Sequence, residues 1–180
     1  MGTLVFDMET NGLINDTTHI HCIVLHHVEA NWTETFNDEC PGKGMSSPVI
    51  RALQWLELAD TIIGHNVIGF DIPVAKSLYN WFNPIGVVVD TLLLSRLYHP
   101  NLLDIDKKAK WDMPSKLWGR HSLEAYGYRL GERKGEFSKT TDWSEWSQEM
   151  EDYCVQDVVV TKKLCDHFHP YLSGSKWNIR

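Results

Sequence analysis

Apolar and polar positions fall into short alternating runs over the first third of the chain and recur with helical spacing beyond it. Residues 3–7 (TLVFD) form a mostly apolar run that predicts a buried strand, closed by a turn at Asn11–Gly12. Residues 19–27 and 31–36 predict two further strands, joined as a hairpin near Glu29–Asn31. Ser47 and Pro48 predict a helix start, cap and first helical position, for a helix running to about Ala59. Residues 61–64 read as a short apolar strand. A helix follows from Asp71 or Ile72, because Pro73 fits only within a first turn. Residues 87–89 predict a strand, and Asp90 caps a helix over 91–99 that stops before Pro100. From Asn101 to Gly119 no period is visible, which predicts a loop, and loops of that length are often functional or mobile. Ser122 caps a helix over 123–130, residues 134–142 read as a loop, and Asp142 precedes a long last helix to about His167. Three strands followed by strands alternating with helices predict an α/β sheet protein. With no internal repeat and no low-complexity tract, residues 1–180 read as a single domain.

Composition narrows the class. No apolar run approaches the roughly 20 residues needed to cross a bilayer. The N-terminus is strand-like rather than basic and then apolar, and Phe6 stands where a myristoylation signal needs Ser or Thr. A cytoplasmic protein without membrane contact is the expectation. The four cysteines show no CxxC pairing and read as reduced thiols. The cluster at 19–22 (HIHC) with His26 and His27 lacks a second ligand pair at tetrahedral spacing, which disfavours structural zinc. The net charge of −7 is unevenly placed. Residues 107–139 hold nine Lys or Arg against four acids, a net of +5 that leaves −12 on the remainder. That asymmetry suits a protein meeting a phosphate backbone on one side, and equally suits a solvated surface.

The acids carry more information. Side chains alternate along a strand, so Asp7 and Glu9 project to one side. Tyr153 and Asp157, four apart, share one face of a helix. Together with Asp71 they form a set of four carboxylates and a tyrosine. Carboxylates gathered in one fold repel and protonate unless a cation neutralises them, and hard divalent ions with oxygen ligands do so. The set therefore points to Mg²⁺ or Mn²⁺ acting on phosphate.

FDMETNGL (6–13), GHNVIGFD (64–71) and YCVQD (153–157) resemble the three exonuclease motifs of the DEDD 3′–5′ exonuclease superfamily. VDTLLLSRLYHPNL, GRHSLEAYGYRLGERKGEF and EMEDYCVQDVVVTK further resemble the proofreading domain of podophage family A DNA polymerases, so the likeness covers roughly residues 3–167. Tyr153 stands four before the last Asp and Asp152 five before it, which resembles the tyrosine subtype rather than the histidine one. The resemblance implies an RNase H-like (DnaQ-like) exonuclease fold, a mixed central sheet flanked by helices. It implies hydrolysis of DNA from the 3′ end with two divalent ions, Mg²⁺ or Mn²⁺. Asp7 would bridge the ions, Glu9 and Asp157 would complete the water-bearing site, and Asp71 would hold the second ion. Tyr153 would orient the attacking water with Glu9. A phenol titrating near 10 suits positioning better than proton abstraction. Thr10, Leu13, Asn66 and Phe70 would contact the terminal nucleotide, with Phe70 equally suited to the core. Trp111 and Trp118, in the basic stretch, are candidates for base stacking or for burial. The partner implied is DNA, as a single strand or frayed 3′ end. No polymerase motif precedes Arg180, so a stand-alone enzyme and a polymerase proofreading domain both stay open. An RNase D-like exoribonuclease and a non-catalytic nucleic-acid-binding module are the competing readings. Retention of all four acids with Tyr153 argues against the second.

Overall fold

The computed structural model describes residues 2–38, 48–109, 111–132 and 143–174. Five strands build one mixed sheet: β1 (Thr3–Thr10), β2 (Ile20–His27), β3 (Trp32–Asn37), β4 (Thr61–Gly64) and β5 (Val87–Asp90), in the order β3-β2-β1-β4-β5. β1 to β3 form an antiparallel meander, whereas β4 and β5 run parallel to β1. The hairpin between β2 and β3 turns through Asn31, whose φ of 51° is left-handed, a conformation asparagine tolerates better than most residues.

Six helices flank the sheet: α1 (Pro48–Leu58), α2 (Asp71–Leu78), α3 (Thr91–Tyr98), α4 (Leu102–Ala109), α5 (Leu123–Leu130) and α6 (Gln148–Leu172). The alternation of β1 decides which helix meets which face. Leu4, Phe6 and Met8 enter a core with Val49, Ala52, Leu53 and Leu56 of α1. Val5 joins Cys22, Val24 and Ile63 in a second core against Cys154 and Val158 of α6. Asp7 and Glu9 continue the Val5 row. The face of β1 that carries the two acids is thus the face on which α6 lies.

Three differences from the sequence reading have physical causes. The interval expected to be a loop contains α4 and a 3₁₀ turn at Ser115–Leu117. Its buried side is Leu102 and Asp106, and an inward-facing acid hides the apolar period. Helix α6 starts at Gln148, where Ser147 caps it by accepting the Met150 N–H at 3.2 Å, rather than soon after Asp142. It also runs past His167 to Leu172, through Pro170. There Phe168 is buried and Tyr171 stacks on Tyr98 at 4.8 Å, so packing outweighs the backbone bond that the proline lacks. The Ser47 cap and the 134–142 loop lie outside the described residues, as does Asp142.

Candidate active site

Beyond Val5 the parallel neighbour of β1 is lost. The β1–β4 register ends at Val5 opposite Ile63, and β4 itself ends at Gly64. A Cβ at Gly64 would collide with the Val67 side chain, so the chain turns here only with glycine. On its other edge β1 stays paired with β2, Asp7 opposite Val24 and Glu9 opposite Cys22, before a register shift between Glu9 and Thr10. The second half of β1 therefore presents Asp7 and Glu9 beside an open edge, and the start of α2 fills that edge. Asp71, 3% exposed, accepts the Met8 N–H as well as its own backbone N–H.

The loop 65–70 that delivers Asp71 is organised by a single carboxylate. Asp90 accepts the N–H groups of Asn66 (2.9 Å) and Ile68 (3.1 Å) while capping α3 through Leu92 (2.9 Å) and Leu93 (3.4 Å). Thr91 donates to the Gly64 carbonyl and meets His65 Nδ1 at 2.9 Å. Asn66 takes a left-handed φ of 66°, and its carbonyl accepts from Gly69 and Phe70. Asn66 and Phe70 face the same cavity as the acids.

That cavity has a volume of about 710 Å³. Its lining brings together Asp7 and Glu9 from β1, Asp71 from α2, and Tyr153 and Asp157 from α6. Asp157 is 6% exposed, and the Trp143 ring meets the Tyr153 ring edge-on at 6.3 Å. Burial pushes Asp71 up to about 7, its two backbone donors oppose this, and the Asp90 charge adds to the rise. Cys154 also sits here. Its Sγ donates to Asp7 Oδ2 at 3.6 Å, and Asp7, Glu9 and Cys154 offer ligand atoms all within 4.8 Å of one another. Burial, then the neighbouring Cys22 and Asp7, hold the Cys154 thiol well above its usual range, so it stays a neutral donor. What remains are carboxylate oxygens with unfavourable mutual repulsion, a donor set that fits a hard divalent cation.

The other expected contacts lie elsewhere. Thr10 is buried, and its hydroxyl donates to the Gly12 carbonyl at 2.9 Å. Leu13 is 74% exposed in the turn after β1, and neither residue is in the cavity lining. Trp118 packs with Met113, Leu117 and Ala125 and donates to the Met113 carbonyl, and Trp111 hydrogen-bonds Asp106, so both indoles serve the fold. Cavity residues that the sequence reading missed are His65, Arg96, Arg120, His121 and Trp143. None belongs to a carboxylate motif, and only the resemblance of the segments holding Arg96 and 120–121 drew any notice to them.

A family profile described as RNase H superfamily matches residues 4–169. The DNA-directed DNA polymerases of Enterobacteria phage T3 and Escherichia phage T7 are 34% and 33% identical to the chain over 91% of its length. The matched region is 26% of each polymerase, so the chain spans about a quarter of the length of those relatives. Among solved structures, Brucella melitensis NrnC superposes with a TM-score of 0.62 at 18% identity, covering 98% of this chain and 77% of that one. Exonuclease I superposes with a TM-score of 0.59 at 17% identity, covering 94% of this chain and 42% of that one. NrnC has been solved with bound Mg²⁺ and bound to pGG, and E. coli exonuclease I in complex with single-stranded DNA. At such identities these likenesses are of fold.

Proposed function

The chain belongs to the RNase H superfamily as an exonuclease domain, and from that premise we propose that it is a divalent-metal-dependent 3′–5′ exodeoxyribonuclease. The observation that carries this reading is the convergence of Asp7, Glu9, Asp71, Asp157 and Tyr153 on one cavity from three separate elements. Asp7, Glu9, Asp71 and Asp157 would hold two Mg²⁺ or Mn²⁺ ions. Bound there, such ions supply an activated water and neutralise charge at the scissile phosphate and its leaving oxygen. The protein's own part is placement. Asp7 and Glu9 are fixed by their ladder to β2, Asp71 by the Met8 N–H, and Asp157 by the packing of α6 on β1. The Tyr153 hydroxyl and the Glu9 carboxylate orient the attacking water in line with the phosphorus–oxygen bond that breaks. The Cys154 thiol holds one Asp7 oxygen. Asn66 and Phe70 border the space for the terminal nucleotide.

The phage polymerase relatives support a proofreading setting, in which the substrate is a frayed DNA 3′ end presented by a polymerase. The cytoplasm of an infected bacterium is the compartment that setting implies. A 5′-labelled single-stranded DNA oligomer, incubated with Mg²⁺, Mn²⁺ or EDTA beside Asp7→Ala, tests the activity. A ladder shortening from the 3′ end, lost in EDTA and in the variant, is the expected result, and no ladder with either metal overturns the reading. An RNA oligomer of equal sequence separates the exoribonuclease alternative, which faster RNA cleavage would establish.

A further inference from the structure

The carboxylates account for only part of the cavity. Its remaining wall comes from α3, through Leu92 and Arg96, and from residues 119–124 ahead of and into α5. Arg96 and Arg120 are both exposed, and neither forms an ion pair with a described residue. Arg129 provides the contrast. It is buried, forks onto Asp106 at 2.9 and 2.7 Å, and donates to the Arg120 carbonyl at 2.8 Å. Lys107, Lys108 and Lys116 are exposed away from the cavity. Of the described residues in the basic stretch, Arg120 alone lines it.

The backbone around Arg120 is held on both sides. The Gly119 N–H donates to Asp106 Oδ2 at 2.8 Å, and His121 Nδ1 meets Ser95 Oγ at 2.6 Å, which in turn contacts the Tyr126 hydroxyl at 2.5 Å. Arg96 lies one residue beyond Ser95 on α3, and its charge acts on His121. The two guanidinium groups thus stand on a braced wall, against the single carboxylate of Glu124 on the same side. Unpaired, planar, permanently charged donors in a cavity that already holds four acids are suited to an oxyanion ligand that arrives with the substrate.

We propose that Arg96 and Arg120 hold the internucleotide phosphate immediately 5′ of the scissile one. This rests on the exonuclease reading and deepens it: the cavity then takes a strand of at least two linked phosphates rather than a terminal nucleotide alone. Both are substrate-positioning residues, and their loss is felt only by substrates that carry the upstream phosphate.

The test pairs two substrates, a single-stranded DNA oligomer and the p-nitrophenyl ester of thymidine 5′-monophosphate, which has a scissile phosphate and none upstream. Arg96→Gln and Arg120→Gln should each lower kcat/KM on the oligomer roughly tenfold, the order expected for one charge-assisted phosphate contact, and leave the ester within about twofold. In Ca²⁺, each variant should also reduce the slope of log affinity against log salt for the oligomer by about 0.7. Arg96→Lys and Arg120→Lys, which keep the charge, should restore most of the slope. Unchanged oligomer kinetics and slopes, or equal loss on both substrates, would overturn the assignment. If the wild type cleaves neither substrate the exonuclease reading fails, and the salt slopes still decide whether these arginines grip phosphate.

Discussion

At Tyr153 the chemistry proposed for the site comes down to one hydroxyl. The ring is half-buried and braced edge-on by Trp143, so removing the oxygen leaves the shape of the wall intact. Tyr153→Phe should therefore slow single-turnover hydrolysis by about 10²-fold, the lower end for a group that positions a proton-transfer partner. Metal binding, read by calorimetry, should be unaltered. Unchanged turnover would remove the tyrosine from the mechanism. Residue by residue, what the sequence revealed was what alternation and helical spacing dictate: Asp7 with Glu9, and Tyr153 with Asp157. The arginines at 96 and 120 were invisible because their relation to the acids is made by three-dimensional closure of α3 and the 119–124 segment over β1. Trp111 and Trp118 were ambiguous for a related reason. A tryptophan in a basic stretch has the same sequence signature whether its indole N–H meets a base-binding groove or a buried carboxylate, and here Asp106 and the Met113 carbonyl took the two donors.

Among elements, α4 shows how a buried polar network conceals a helix. Asp106 is 1% exposed, and it ties α4 to α5 through Arg129 and to the 119–122 segment through the Gly119 N–H. Burial works to raise its pKa, but the Arg129 fork, the Gly119 N–H and the Trp111 indole outweigh burial and hold it below the ordinary carboxylate value. The lowered folded-state pKa means that Asp106 contributes stability in full above its unfolded value near 3.9, and loses it as pH falls through the folded value. Asp106→Ala should destabilise the fold by about 3–5 kcal/mol, because it strands a buried guanidinium. Urea unfolding should show the gap between wild type and variant constant from pH 8 to about 5 and closing below about 4. A gap independent of pH would mean that the ion pair is not what holds α4. The sheet order was not readable in the same way as the strands. Each strand announces itself by local pattern, whereas the pairing of β1 with the distant β4 is set by the crossover through α1.

Across the whole molecule, charge is the term that links fold to activity. The chain carries −7 overall, and the fold directs four carboxylates into one cavity, where burial already raises Asp71 to about 7. Such a site is destabilising until a cation fills it. A hundredfold excess of Mg²⁺ over its Kd should add about 2.7 kcal/mol. At 2–4 °C per kcal/mol for a domain of this size, the melting temperature should rise by roughly 5–10 °C over its value in EDTA. Asp7→Ala separates the two halves of this argument. In EDTA the variant should melt at or above the wild-type temperature, because one of the repelling charges is gone and the Cys154 thiol loses only a long contact of 3.6 Å. In Mg²⁺ it should gain little. A variant that melts well below wild type in EDTA would make Asp7 a structural residue, and one that keeps the full Mg²⁺ shift would place the ion away from β1. The crossing of the two melting temperatures between EDTA and Mg²⁺ is the expected signature of a strand whose acids oppose folding and enable catalysis.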